Sequence, residues 1–390
     1  MEKLNLPSLI NRAVDDDPET ASPATQTLFR DVIEPMCDSF ELKKRDAYVE
    51  LFLWILERLA LQLDSDALRA RYERVREPEP VPDDYRDVVV LSRVTLGADI
   101  AVTSVLLDAA RRRFPHARLH FAGPRKNFEL FEGEQRLTHI SVPYGRTSLL
   151  RDRVQTAFEL EKVLSQFDRA LILDPDSRLT QLGLLPVCEE SRYRLFESRA
   201  YHAESSAPLG QLAADWCGEV LGVGDARPWI APVSQPVEMA EGTVTMSVGV
   251  GENPAKRPLD PFEEQFVESL TTSGTPLLID EGMGGEESER AQRLAARFGV
   301  RTFRGPFATF AATISASAAY IGYDSAGQHA AAACGTPLLT VFAGFVNERM
   351  ASRWTPHGSG RIHVVRLAKG DDALEKVLAA WRRLFDPNQD

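Results

Sequence analysis

Cysteine is scarce. The 390 residues contain only Cys37, Cys188, Cys217 and Cys334, with no C-x-x-C pair among them. Neither a disulfide framework nor a zinc site follows from that spacing, and buried free thiols in a reducing compartment are the expectation. Long apolar runs are missing too. The most apolar stretch, residues 51–56, is bracketed by Glu50 and by Glu57 and Arg58, whereas a spanning helix needs about 20 apolar residues. Residues 1–10 mix charges and lack an apolar h-region, so they do not read as a signal peptide. Basic charge is in deficit. There are 45 Lys and Arg against 57 Asp and Glu, a net charge of −12. A nucleic-acid partner is therefore not expected. Arg111, Arg112 and Arg113, and the pair Arg192 and Arg194, are local basic exceptions.

What is present describes a soluble globular chain, 44% apolar and 26% charged, long enough for two or three domains. Residues 1–80 carry helical patterns. Residues 25–36 have helical spacing, which Pro35 should end. Across residues 44–63, Tyr48, Leu51, Phe52, Ile55, Leu59 and Leu63 form one stripe. Leu53, Trp54 and Leu56 lie off it, so this helix is apolar on most sides and belongs in a domain interior or an oligomer interface. A proline-rich linker over 77–82 follows.

From Asp87 onward, short apolar runs alternate with amphipathic segments, as buried parallel strands alternate with helices. The first series predicts strands at 88–91, 119–122, 140–142 and 170–173, and helices at 100–114, 149–166 and 209–221. A proline-bearing linker at 228–243 leads to a second series. Its strands are at 244–248, 277–279, 300–303, 319–322, 338–342 and 363–365. Its helices are at 261–271, 286–298, 307–315, 328–334 and 372–385. Two successive open parallel sheets, each covered by helices, are the expected architecture.

Ligands of such sheets bind at the carboxyl ends of the strands, which directs attention to three junctions. In the first, Gly97 permits a tight turn before Asp99, which is compatible with a helix cap and with a general base. In the second, Gly249 and Gly251 follow a strand and precede Lys256 and Arg257. This resembles a phosphate cradle, yet it has neither Walker A spacing nor, with Pro254 in the way, G-x-G-x-x-G. In the third, a strand runs into Asp324 and Ser325, then a small-residue helix with Gly327 and His329. Asp324 as N-cap would leave an anion site at the helix start. His329, one turn in, suits a ligand contact or a core position.

This third segment, Asp-Ser-Ala-Gly-Gln-His followed by Ala-Ala-x-x-Gly-Thr-Pro, resembles the donor-site signature of glycosyltransferase family nine, the lipopolysaccharide heptosyltransferases. The similarity spans roughly residues 87–385: it takes in the loop at 244–257, the strand and acidic helix at 277–298 and the segment 305–315, and, more weakly, residues 91–115. The resemblance implies a GT-B fold with two Rossmann-like, doubly wound domains behind an N-terminal helical extension. The divisions would be 1–80 for the extension, 87–227 for the acceptor domain, 244–370 for the donor domain and 371–390 for a C-terminal helix.

It further implies an inverting, metal-independent transfer of a heptose or similar sugar. The donor would be a nucleotide-diphosphate sugar, the acceptor a saccharide or lipid-linked hydroxyl of the cell envelope. No cofactor is implied. The place of work would be the cytoplasm or, peripherally, the inner membrane, with homo-oligomers formed through residues 1–80. By the same resemblance Asp99 would be the base and Lys256 would hold the leaving diphosphate. Gly249, Gly251, Asp324, Ser325, Gly327 and His329 would line the donor pocket, and Glu286 would hold the nucleoside or sugar. Arg192, Arg194 and Arg199 are candidates for an anionic acceptor. The chain departs from the family pattern at Ala98, which separates Gly97 from Asp99, at Ala326, and in its first 80 residues. Two other readings fit a GT-B chain: a sugar-nucleotide epimerase or hydrolase, and a non-catalytic binding module.

Overall fold

The computed structural model describes residues 5–61, 63–81, 84–145, 148–251 and 253–385; Met1 to Leu4, Gln62, Pro82 and residues 386–390, which figure in the readings above, lie outside them. The first sheet contains β1 (Asp87–Leu91), β2 (Arg118–Gly123), β3 (Leu137–Ser141), β4 (Leu171–Asp174) and β5 (Tyr193–Leu195). Its order is β3-β2-β1-β4-β5, parallel throughout. The second sheet contains β6 (Val244–Ser247), β7 (Leu277–Asp280), β8 (Arg301–Phe303), β9 (Ala319–Tyr323), β10 (Leu338–Phe342) and β11 (Ile362–Arg366). It runs β11-β10-β9-β6-β7-β8, again all parallel. Both follow the doubly wound order, in which the strand sequence reverses beside the first strand and opens a crevice at the carboxyl ends. The crevices lie between β1 and β4 and between β6 and β9.

The predicted strands all form, because both faces of each sheet are covered and the sequence is apolar along the whole strand. β5 was not foreseen. Its three residues, Tyr193, Arg194 and Leu195, include an arginine, yet all three are buried. Arg194 reaches this depth by donating to four backbone carbonyls, those of Glu79, Pro80, Ser191 and Tyr193.

Pro35 does not end its helix. Helix Pro18–Leu28 passes through a π turn at Phe29–Ile33 into a last segment, Glu34–Asp38. The wider turn places Pro35 at the start of that segment, where a missing N–H leaves no bond broken. The apolar helix proves to be Leu42–Arg58, with Tyr48, Phe52, Leu53, Ile55 and Leu56 buried. It packs within its own chain. The extension shares one core with Val89, Leu91, Ala122, Leu160 and Leu195 of the first sheet and its helices. Among the described residues no helix is long and apolar enough to cross a membrane.

Candidate donor site and interdomain cleft

The loop after β6 and the loop after β9 meet at the second crevice. A 3-10 turn over Pro254–Lys256, capped by the Asn253 side chain, aims Lys256 across it. The ammonium lies 2.6 Å from Asp324 Oδ2 and is only 20% exposed. Arg257, its neighbour in sequence, turns away to pair with Asp260 at 2.8 Å and Glu263 at 3.0 Å. Lys256 is thus the cation this loop presents.

Helix Ala326–Cys334 begins immediately beyond Asp324. Its N-cap is Ser325, not Asp324 as expected, and no side chain caps the first turn. Asp324 instead accepts from Lys256 and, at 3.0 Å, from the Gln328 amide. The result is a helix start with unclaimed N–H groups beside a fixed cation, an arrangement suited to an anion. Gln328 is fully buried, its oxygen taken by Thr340 Oγ1 at 2.7 Å. His329, 4% exposed, packs edge-on to Trp354. Burial lowers its pKa to about 4, with Asp324 pulling up and Lys256 pushing down. It is therefore a neutral ring in the wall of the site.

The glycines have distinct reasons. A β-carbon at Gly327 would collide with the Tyr320 hydroxyl, and one at Gly249 would collide with Glu287 Oε1. Gly251 holds a left-handed φ of 64° with open space around it. Glu287, not Glu286, is the acidic side chain that enters the site. In helix Gly285–Phe298 consecutive residues point about 100° apart, so Glu286 is exposed while Glu287 is half-buried against Gly249 and Gly282. Glu287 faces Asp280, whose carboxyl is pushed up to about 6 chiefly by burial.

The first sheet meets this site through Gly97. A β-carbon there would sit 3.3 Å from Ala326 Cα and 3.4 Å from His329 Cδ2. The glycine serves this contact between domains, and Ala98 shifts the carboxylate behind it inward. Asp99 is 0% exposed. Its two oxygens accept from Ser92 Oγ and Asn127 Nδ2 at 2.5 Å, and from Arg93 N and Thr103 Oγ1 at 2.6 Å. Four donors engage it, and through them Asp99 clamps the loop after β1.

The three acceptor candidates also turn inward. Arg192 donates to the carbonyls of Phe167 and Ala170, and Arg194 lies in β5. Arg199 is 3% exposed, 3.3 Å from Asp176 and 3.6 Å from Glu197. Sequence reasoning missed the groups that do gather at the first crevice. Arg93 donates to Pro175 O and Ser198 Oγ, and Arg178 pairs with Glu34 of the extension at 2.8 Å. Left-handed backbone at Val94 (φ 62°) and Asp176 (φ 69°) marks the same place. A β-branched residue in that region is strained, and such strain collects at functional sites. Basic residues within the first loop and just beyond β4 were the available signal.

No protein-family model matches the chain, and no curated protein matches it. Its structure is similar to several solved ones. The glycosyl transferase family 9 protein of Veillonella parvula DSM 2008 superposes with a TM-score of 0.58 at 15% identity, over 77% of this chain and 97% of that one. The E. coli heptosyltransferase WaaC with ADP gives 0.55 at 14% identity, over 76% and 98%. E. coli ADP-heptose lps heptosyltransferase II gives 0.51 at 15% identity, over 76% and 98%. The chain therefore has the GT-B fold of these family nine structures, as its donor-site signature implies.

Proposed function

We propose that this protein is a glycosyltransferase that moves a sugar from a nucleotide-diphosphate donor to a hydroxyl acceptor, with inversion and without a metal. The observation that carries the reading is the Lys256 ammonium fixed beside an uncapped helix start, where the strand order of the second sheet reverses. A departing diphosphate gains charge in the transition state. A preorganised cation and helix N–H groups stabilise that charge without reorganising. Lys256 would exchange part of its contact with Asp324 for the phosphates. Asp280, at the carboxyl end of β7, and Glu287, in the first turn of the helix that follows, suit ribose or sugar hydroxyls. The solved heptosyltransferases favour an adenosine diphosphate sugar, a heptose or relative, and an envelope saccharide as acceptor.

Thermal shift with ADP, UDP, GDP and CMP and their sugar conjugates tests the reading. One nucleotide should stabilise the chain by about 2.7 kcal/mol at a hundredfold excess over Kd. Lys256→Ala should abolish that shift. An undiminished shift in the variant would remove Lys256 from the donor site.

A further inference from the structure

Asp99 is buried inside the first domain with both oxygens engaged, while the extension brings a second carboxylate to the cleft. Helix segment Glu34–Asp38 is tethered on both sides of the cleft. On one side Glu34 pairs with Arg178, beyond β4, at 2.8 Å. On the other, the Phe40 ring packs 6.4 Å from Trp354, and Arg349 donates to the Phe40 carbonyl at 3.3 Å. Trp354 in turn lies against His329 of the donor helix. Asp38 sits between the two tethers. Its carboxylate has no hydrogen-bond or ion-pair partner among the described residues. The charges that reach it come from both domains: Glu34 and Arg178 on one side, Lys256 and Asp324 on the other. Burial, helped by Glu34, pushes its pKa up to about 6 against the pull of Arg178 and Lys256. Such a group is ionised at neutral pH yet basic enough to take a proton.

The wall that faces the extension from the first domain is polar and incompletely paired. Asp176 Oδ1, Arg178 Nη1 and Arg199 Nη1 are buried with no hydrogen-bond partner among the described residues. Buried polar groups are normally satisfied, so these atoms mark a polar seam where the extension meets the first domain.

We propose that Asp38 is the general base of the transfer and that the extension completes the acceptor side of the active site. The acceptor O–H bond breaks and its proton passes to the Asp38 carboxylate. The acceptor oxygen bonds to the anomeric carbon as the bond from that carbon to the phosphate oxygen breaks. The electron pair leaves on the diphosphate beside Lys256. This assignment rests on the donor-site reading given above.

The test uses the full-length chain and its Asp38→Asn and Asp38→Glu variants. Calorimetry with ADP, UDP and GDP, run near pH 6.5 in two buffers of different ionisation heat, reads proton uptake. A diphosphate bound near Asp38 favours its protonated form, so the wild type should take up a fraction of a proton more than Asp38→Asn, in which only the nucleotide's own terminal phosphate exchanges protons. Release of nucleoside diphosphate from the matching sugar nucleotide, with water as the acceptor O–H, then reads chemistry. Asp38→Asn should lower kcat by about 10²–10⁴-fold with the donor KM within about threefold. The fall in rate below about pH 6 should vanish in Asp38→Asn and persist in Asp38→Glu. Unchanged proton uptake, or an unchanged rate with its acid limb intact, overturns the assignment while leaving the donor site standing. If none of the nucleotides binds the wild type, the donor-site reading falls first and this one with it.

Discussion

At the scale of single residues, chemistry in this site is decided by which way a side chain turns, and one position makes the difference. Glu286 and Glu287 are equivalent in the sequence, but only Glu287 lies against Gly249 and Gly282. Replacing Glu287 by Gln should weaken nucleotide binding roughly tenfold, the scale of a charge-assisted hydrogen bond. Glu286→Gln should leave it unchanged, and titration calorimetry separates the two. His329 gives a second expectation. Its folded pKa is about 4, below the ordinary value near 6.5. The unfolded chain therefore binds the proton first as pH falls. The stability contributed by a neutral His329 is complete above about pH 6.5 and is lost as pH drops toward 4, by up to about 3 kcal/mol. Urea denaturation across that window should show the wild type losing this much relative to His329→Gln. The sequence named both neighbourhoods, because glycines and charges after apolar strands mark carboxyl-end loops. It could not choose between adjacent glutamates, since that choice depends on the rotation of a helix whose start shifts by one residue.

At the scale of elements, legibility followed the chemistry of burial. Among the described residues, ten of the eleven strands announced themselves as apolar runs, because a parallel strand covered on both faces needs apolar residues throughout. β5 did not, because Arg194 is buried by satisfying backbone carbonyls and not by being apolar. Pro35 misled for a similar reason: the π turn before it is a property of backbone bonding that residue propensities do not carry. The Ala326–Cys334 helix was legible as a small-residue helix, and its purpose emerges only across domains. Its start receives Gly97 at a separation that leaves room for little more than a β-carbon. Gly97→Val should force the loop after β1 away from Ala326 and His329. Overpacking of this kind costs about 1–3 kcal/mol, and here the strain falls on the contact between the two sheets. Nucleotide binding should weaken while the secondary structure persists. Circular dichroism with calorimetry would read that combination, and an unchanged affinity would mean that the domains close without this contact.

At the scale of the whole molecule, the extension is built into the first domain by charge as well as by apolar packing, and pairings more than a hundred residues apart are what a single sequence hides best. Glu197 is the centre of that attachment. It is 4% exposed and accepts from Arg45 at 3.1 Å and from the Tyr72 hydroxyl at 2.5 Å, both in the extension, with Arg199 3.6 Å away. Tyr48 lies under the Arg199 guanidinium, 4.9 Å from its ring centre. Arg45 is itself 7% exposed. Removing one member of such a pair strands a charge in a poor solvent for it, at a cost of about 3–5 kcal/mol, whereas removing both leaves no unpaired charge. Arg45→Met should therefore destabilise the chain by that amount in urea unfolding. Arg45→Met combined with Glu197→Gln should recover most of it, a coupling that a double-mutant cycle measures directly. Because Phe40 and Asp38 lie only a few residues upstream of Arg45, loosening this anchor should also disturb the cleft. Arg45→Met should reduce turnover beyond what its thermal stability explains, and the double variant should restore it in step with the unfolding free energy. Turnover that stays low after stability returns would mean that Arg45 shapes the cleft through its own charge and not through holding the extension in place.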